Sequence, residues 1–275
     1  MTRRRQDDHG VSRAVRRTWF FAGGFVTAVV LVTSVVIIWA SISSTSLTQR
    51  ADDVRETFDR TPSALSIEAS RASVHLSGTD GPEMSARVSR TWYIREPEIQ
   101  RRWRGDELQL TLSCPISGVP IWFAPRCGID YVADVPEQVP TTVAVSSGEL
   151  SASGLSGRVD LRADDGRITA DRLSGQVYVE LGAGTLVGDE LSAREVVART
   201  SDASVELRFA APPENVDVTS DSGAVTVVLP RGESYRVVAE SDRGGVTTGV
   251  DDDDASGRVI RVRSGGGDVE VVHTG

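Results

Sequence analysis

The chain has 275 residues, enough for one large domain or two small ones, and only 5% of them are aromatic. Val, Ala, Ser, Gly and Asp are abundant, which suits slim strands and frequent turns better than a thick core of large side chains. The net charge of −9 divides unevenly: residues 1–17 hold six arginines against Asp7 and Asp8, a net of +4, leaving −13 on the remainder. That acidic remainder repels phosphate backbones, so nucleic acid is excluded as the expected partner. The single asparagine, Asn215, precedes Val216 and Asp217, so no N-glycosylation sequon exists.

From Trp19 to Ile42 the chain reads WFFAGGFVTAVVLVTSVVIIWASI without a charge. About twenty such residues span a hydrocarbon layer of about 30 Å. Trp19 and Trp39 stand near the ends, where interfacial aromatics are favoured, and the arginine cluster lies on the N-terminal side. The positive-inside bias therefore predicts a cytoplasmic tail (1–18), a transmembrane helix (19–42) embedded in the lipid bilayer, and an exported remainder. A cleaved signal peptide is the rival, but its apolar region would be shorter, and Ser41-Ile42-Ser43 is a poor cleavage site. Residues 43–62 read as a polar stalk. Leu47, Val54 and Phe58 recur at helical spacing until Pro62, so either a helical continuation or a disordered tether is expected.

Residues 63–142 read as an irregular capping section with longer strands near Met84–Ile94 and Glu107–Leu112. It holds Trp92, Trp103 and Trp122, and Ala72-Ser73-Val74 echoes Ala203-Ser204-Val205. Cys114 and Cys127, the only cysteines, fall on the exported side, where an even count predicts a disulfide.

Residues 143–275 repeat. Turn residues recur at Gly148, Gly166, Gly184, Ala203, Gly223, Gly244 and Gly267, with gaps of 18, 18, 19, 20, 21 and 23. Periods of about 20–50 residues mark solenoids and related stacks. Five residues before the turns stand Val143, Leu161, Val179, Ala198, Val218, Ala239 and Val262. Two after them stand Leu150, Ile168, Leu186, Val205, Val225, Val246 and Val269. Every one is apolar, and the alternation between them puts one side of each strand in a core. Glycine at the turn is expected to supply a positive φ, with Ala203 the departure. The expectation is an all-β, two-sheet β-solenoid with about 20 residues per repeat. An antiparallel β-sandwich is the alternative, since Asp-Gly corners also close hairpins.

The stretch Leu112-Ser113-Cys114, then Cys127-Gly128-Ile129-Asp130-Tyr131-Val132-Ala133-Asp134-Val135-Pro136, running into Thr142-Val143-Ala144-Val145-Ser146-Ser147-Gly148, resembles the putative-adhesin family of bacterial β-strand-repeat proteins. The resemblance covers residues 64–272. It implies a surface-exposed β-repeat domain behind an N-terminal membrane helix, and it brings no catalytic residues.

No catalytic constellation, cofactor or metal site is predicted. Asp164, Asp165, Asp221 and Asp242 recur at corners, where Asp bonds its own backbone. His9, His75 and His273 are scattered and fit no triad. Asp251–Asp254 could attract calcium but lacks the spaced ligands and glycine of an EF-hand loop. Arg158, Arg162, Arg167 and Arg172 cluster among acids in the first clear repeats, and a ladder of such groups could bind a repetitive polymer such as a cell-wall glycan; a cell-wall polymer or a surface protein is the expected partner of the module. The expected function is a non-catalytic, membrane-anchored, cell-surface module, adhesin-like or envelope-binding. An envelope-stress sensor and a carbohydrate-active enzyme are the alternatives.

Overall fold

The computed structural model describes residues 29–35, 50–92, 96–114 and 127–274, and the chain divides into two compact units, Met1–Thr48 and Gln49–Gly275. In the first unit residues 29–35 are helical, and Val29, Val30, Leu31, Val32 and Val35 are all exposed. The rest of the expected 19–42 span, both its tryptophans and the basic tail lie outside the described residues. Among the described residues no helix is long and apolar enough to cross a membrane.

The second unit is all-β. Its strands are β1 (Arg50–Phe58), β2 (Ala64–Thr79), β3 (Met84–Trp92), β4 (Glu98–Arg104), β5 (Glu107–Ser113), β6 (Gly128–Pro136), β7 (Thr141–Ser153) and β8 (Val159–Asp171). They continue with β9 (Val177–Leu191), β10 (Glu195–Phe209), β11 (Asn215–Ser220), β12 (Val225–Leu229), β13 (Arg236–Ser241), β14 (Val246–Gly249), β15 (Val259–Ser264) and β16 (Val269–His273). These sixteen strands of the described residues belong to one sheet that does not close.

The long strands β2 and β7 to β10 each supply two limbs, one before and one after the corner residue. One limb runs in the order β4-β5-β2-β7-β8-β9-β10-β11-β15-β13, and the other in the order β1-β3-β6-β2-β7-β8-β9-β10-β12-β16-β14. In β7 the buried side chains are Val143 and Val145 before the corner but Leu150 and Ala152 after it. The alternation slips by one residue at Gly148, and that slip turns both apolar rows toward the same core. Both limbs feed one hydrophobic cluster, a sandwich-like layering. Antiparallel pairing occurs at β1/β3, β3/β6 and β4/β5, whereas the repeats pair parallel.

Register carries the repeat into space. Ile67, Val143, Leu161, Val179, Ala198, Val218, Val262 and Ala239 lie side by side, as do Val74, Leu150, Ile168, Leu186, Val205, Val225, Val269 and Val246. A fully buried Val, Leu or Ile in such a row stabilises by about 1.5–3 kcal/mol. Ala72 pairs with Gly148 and thereby takes the corner position of an earlier copy.

Two expectations are corrected, and the order of the copies is a further finding. First, the segment read as a stalk carries β1, paired antiparallel with β3. Val54 and Phe58, four apart, satisfy a period of two as well as a helix. Asp52 and Glu56, on the same side of the strand, are ion-paired to Arg90 and Arg101. The copies do not follow chain order. The last pair, β15 and β16, lies between β11/β12 and β13/β14. Ile260, Val262, Val269 and Val271 are fully buried there, so the more apolar copy occupies the interior place and Val246 at the edge stays 46% exposed.

Second, positive φ holds at Gly148, Gly166 and Gly184 (141°, 136° and 127°) but not at Gly223, Gly244 or Gly267. In the later corners a serine three residues earlier accepts the glycine N–H: Ser220 from Gly223 (2.9 Å), Ser241 from Gly244 (2.9 Å) and Ser264 from Gly267 (2.8 Å). The Ser264 and Ser241 hydroxyls also donate to the carbonyls of Gly223 and Gly267 in the neighbouring copies.

Cys114 and Cys127 form the expected disulfide, with Cα atoms 5.9 Å apart. It ties the end of β5, in one limb, to the start of β6, in the other. The near end of the sheet is covered by Phe58, Ile99 and Trp103, packed on the core, and by the Glu56–Arg101 pair between β1 and β4.

Two predictions follow from corners and crosslink. A Cβ at Gly166 would lie 1.9 Å from the carbonyl oxygen of Gly148. Gly166→Val should therefore lose about 3 kcal/mol in denaturant unfolding. Gly81→Ala, with open space around it, should stay within about 0.5 kcal/mol of the parent. Equal midpoints for both would refute the close-passage account. Replacing both cysteines by serine opens a loop of sequence separation 13, and should cost about 3 kcal/mol in the same assay.

Candidate functional site

Residues four before each corner point outward and come into register. Across the first limb this row reads Thr111, Glu68, Ala144, Arg162, Glu180, Arg199, Thr219, Arg263, Glu240. Adjacent strands lie about 4.8 Å apart, so opposite charges at neighbouring positions meet. Arg162 Nε is 3.1 Å from Glu180, and Arg263 Nε is 3.1 Å from Glu240. These pairs are half exposed and cost little to exchange for a ligand's groups.

One step further from the corner stand Asp160 and Tyr178, neighbours on β8 and β9. The Tyr178 ring lies between two guanidiniums, with the Cζ of Arg162 at 6.0 Å and that of Arg199 at 5.5 Å. Arg199 also donates to the Tyr178 hydroxyl. Asp160 accepts from Arg162 through one oxygen at 3.1 Å, while its other oxygen is buried without a partner among the described residues. Among those residues Arg199 forms no ion pair with a carboxylate. The charge it presents is therefore available.

Beside this patch, where the strands approach their corners, lies a run of open depressions. The central one, of about 400 Å³, is bordered by Arg162, Asp164, Glu180, Arg199, Ser201 and Asp221. A second, of about 420 Å³, shares Arg162 and Asp164 and reaches Glu68 and Thr111. A third shares Thr219 and Asp221 and reaches Asp242 and Arg243. Together they make a polar trough crossing nine strands, about 38 Å at the usual strand spacing. A trough of this kind offers alternating donors and acceptors beside an aromatic face.

The structure disperses the arginine cluster expected from sequence. Arg162 is in the trough, Arg167 is in the other limb paired in register with Glu149 and Thr185, and Arg172 turns back to Asp171 at a φ of 49°. The signal that would have found Tyr178, Glu180 and Arg199 is a fixed offset from the corner residue, because register converts equal offsets into neighbours. Asp164 and Asp221 border the trough; Asp165 pairs in register with Ser147 and Ala183 at the corner itself. His75 lies 3.9 Å from Asp130 and His273 ends β16, so no triad assembles from them; His9 lies outside the described residues. Two carboxylates of the Asp251–Asp254 turn bond backbone: Asp252 accepts the N–H of Val237 on β13 at 3.0 Å, and Asp253 that of Ala255 at 2.9 Å. Among the described residues no group of three or more His, Cys, Asp or Glu side chains gathers as a metal site.

No protein-family model matches the chain, and no curated protein does. Solved structures resemble it over most of its length. A putative cell adhesion protein from Clostridium sporogenes is 16% identical, with 82% of this chain and 100% of that one covered and a TM-score of 0.37. A putative adhesin from Parabacteroides merdae is 9% identical, covering 80% and 96%, with a TM-score of 0.46. A putative lipid binding protein from Parabacteroides distasonis is 9% identical, covering 80% and 97%, with a TM-score of 0.39.

The strongly shifted titrating groups are core phenols, away from the trough. Burial raises the Tyr131 phenol far above its ordinary value, against a smaller opposing effect of Arg101. Burial likewise raises Tyr235, with Arg258 opposing and Glu233 reinforcing. A raised folded-state value means that the native protein keeps protons the unfolded chain releases above about pH 10. The stability held by these phenols is therefore present in full below that pH and declines above it. Denaturant midpoints from pH 8 to 11.5 should fall on the alkaline side, less steeply in Tyr131→Phe. At pH 7 that variant should be neutral or stabilised by about 1 kcal/mol, because the Tyr131 hydroxyl is buried without a partner among the described residues.

Proposed function

We propose that this chain is a non-catalytic, adhesin-like contact module, a parallel β-solenoid whose polar trough grips an extended envelope polymer. The supporting observation is the outward row Arg162, Glu180, Arg199 beside Tyr178, held at strand spacing by in-register parallel pairing. A polymer whose hydroxyl and anionic groups recur along its length can meet such a row at several strands at once, so weak single contacts add up. Register held from β7 to β10 as far as Leu207 supports the solenoid reading, since the copies pair with corner over corner. The composition of the trough, with acids and arginines interleaved and exchangeable, favours holding a polar chain over transforming it. The charge-free run 19–42 and the arginines before it support retention at the membrane, with the β unit on the outer surface.

The test is sedimentation of the full chain, in detergent, with isolated cell-wall glycan. Saturable binding is expected, reduced at least tenfold by Tyr178→Ala or Arg199→Glu, each checked for an unchanged melting temperature. Binding that is unsaturable, or indifferent to both substitutions, would remove the trough from the mechanism. Release of soluble sugars by the parent chain would instead point to a carbohydrate-active enzyme.

A further inference from the structure

The two ends of the sheet are finished differently. At the near end β1 and β4 are the outer strands, paired antiparallel with β3 and β5, and Phe58, Ile99 and Trp103 lie over the core. At the far end β13 pairs only with β15 and β14 only with β16. The start of β13 is closed by the chain itself: Asp253 N–H donates to the Tyr235 carbonyl at 2.9 Å, and Asp252 takes the Val237 N–H. Nothing comparable covers β14 among the described residues. All four of its residues are exposed, Val246 included.

Its open groups can be assigned. Val269 N–H donates to the Gly245 carbonyl at 2.9 Å, which places the inward-facing backbone groups of this parallel pair at Gly245 and Thr247. Alternation along the ladder then aims the N–H and C=O of Val246 and Thr248 away from the sheet. An outward row of this kind fits the backbone of another extended polypeptide, and does so better than a sugar chain, because donors and acceptors repeat at peptide spacing. The surroundings set the charge of that polypeptide. Asp251–Asp254 follow β14 after Val250, and Asp242 precedes it; none of the five carboxylates forms an ion pair among the described residues, and the one nearby cation at the corner, Arg243, donates to the Gly265 carbonyl. Guanidinium or ammonium groups would be drawn to this corner.

We infer that β14 is a strand-addition site for a basic, extended segment of another protein, with its backbone on Val246 and Thr248 and its basic side chains against the Asp251–Asp254 turn.

The experiment uses the full chain in detergent and a fluorescein-labelled peptide, acetyl-Arg-Thr-Val-Thr-Val-Arg-Arg-amide, followed by anisotropy. The expected result is saturable binding, weakened at least tenfold by Thr248→Pro and, separately, by the combined Asp251→Asn, Asp253→Asn and Asp254→Asn variant. Proline at an outward-facing edge position leaves the β14/β16 ladder intact. As a check that needs no variant, the same peptide N-methylated at alternate residues should also bind at least tenfold more weakly. Three results would overturn the inference: no saturable binding, equal binding of the methylated peptide, or a concentration-dependent dimer of the chain that Thr248→Pro abolishes.

Discussion

The structure depends on how closely the backbone of one copy passes beneath the next at the corner. At Gly148, Gly166 and Gly184 a Cβ would fall 1.9–2.1 Å from the carbonyl oxygen of the residue below, which is Ala72, Gly148 and Gly166 in turn. No side chain fits there. Because the corners sit directly over one another, every position on either side is forced into line, and the apolar rows and the outward charges inherit that alignment. The one-residue slip in alternation at each corner has the same origin. Both limbs could not face one core without it.

The later corners reach the same closeness by other means. Gly223, Gly244 and Gly267 are needed for space, but their φ values are ordinary, and the serine hydroxyls of Ser220, Ser264 and Ser241 take over the local bonding. Since Ser264 and Ser241 also donate to the neighbouring copy, the corner becomes a short polar ladder inside an otherwise apolar row. Ala69, Val145, Ala163 and Leu181 fill the same row in the earlier copies, with the buried Thr200 between Leu181 and Ser220. Apolar packing thus gives way to hydrogen bonding along the sheet, and the corners lengthen as it does.

Much of this was legible in the residues. The apolar positions five before and two after each turn formed the rows read from sequence, and Cys114 bonds Cys127. What was not legible has physical causes. Val54 and Phe58 fit helix and strand alike, and only the partners Arg90 and Arg101, distant in sequence, decide for the strand. The position of β15 and β16 follows from a competition for burial between two copies of nearly equal pattern, which no local signal resolves. EIQRRWR becomes β4 because β5 offers it an edge, not because it alternates cleanly. The patch around Tyr178 is not legible along the chain, because proximity in the fold is set by offset from the corner and not by nearness in sequence.

The interleaved order of the final copies bears on biosynthesis. A ribosome delivers β13 and β14 before β15 and β16, yet the earlier pair has no place to settle until the later pair has docked on β11 and β12. Vectorial assembly can proceed copy by copy as far as β12 and must then pause, with an unfinished segment waiting for its successor to slot in ahead of it.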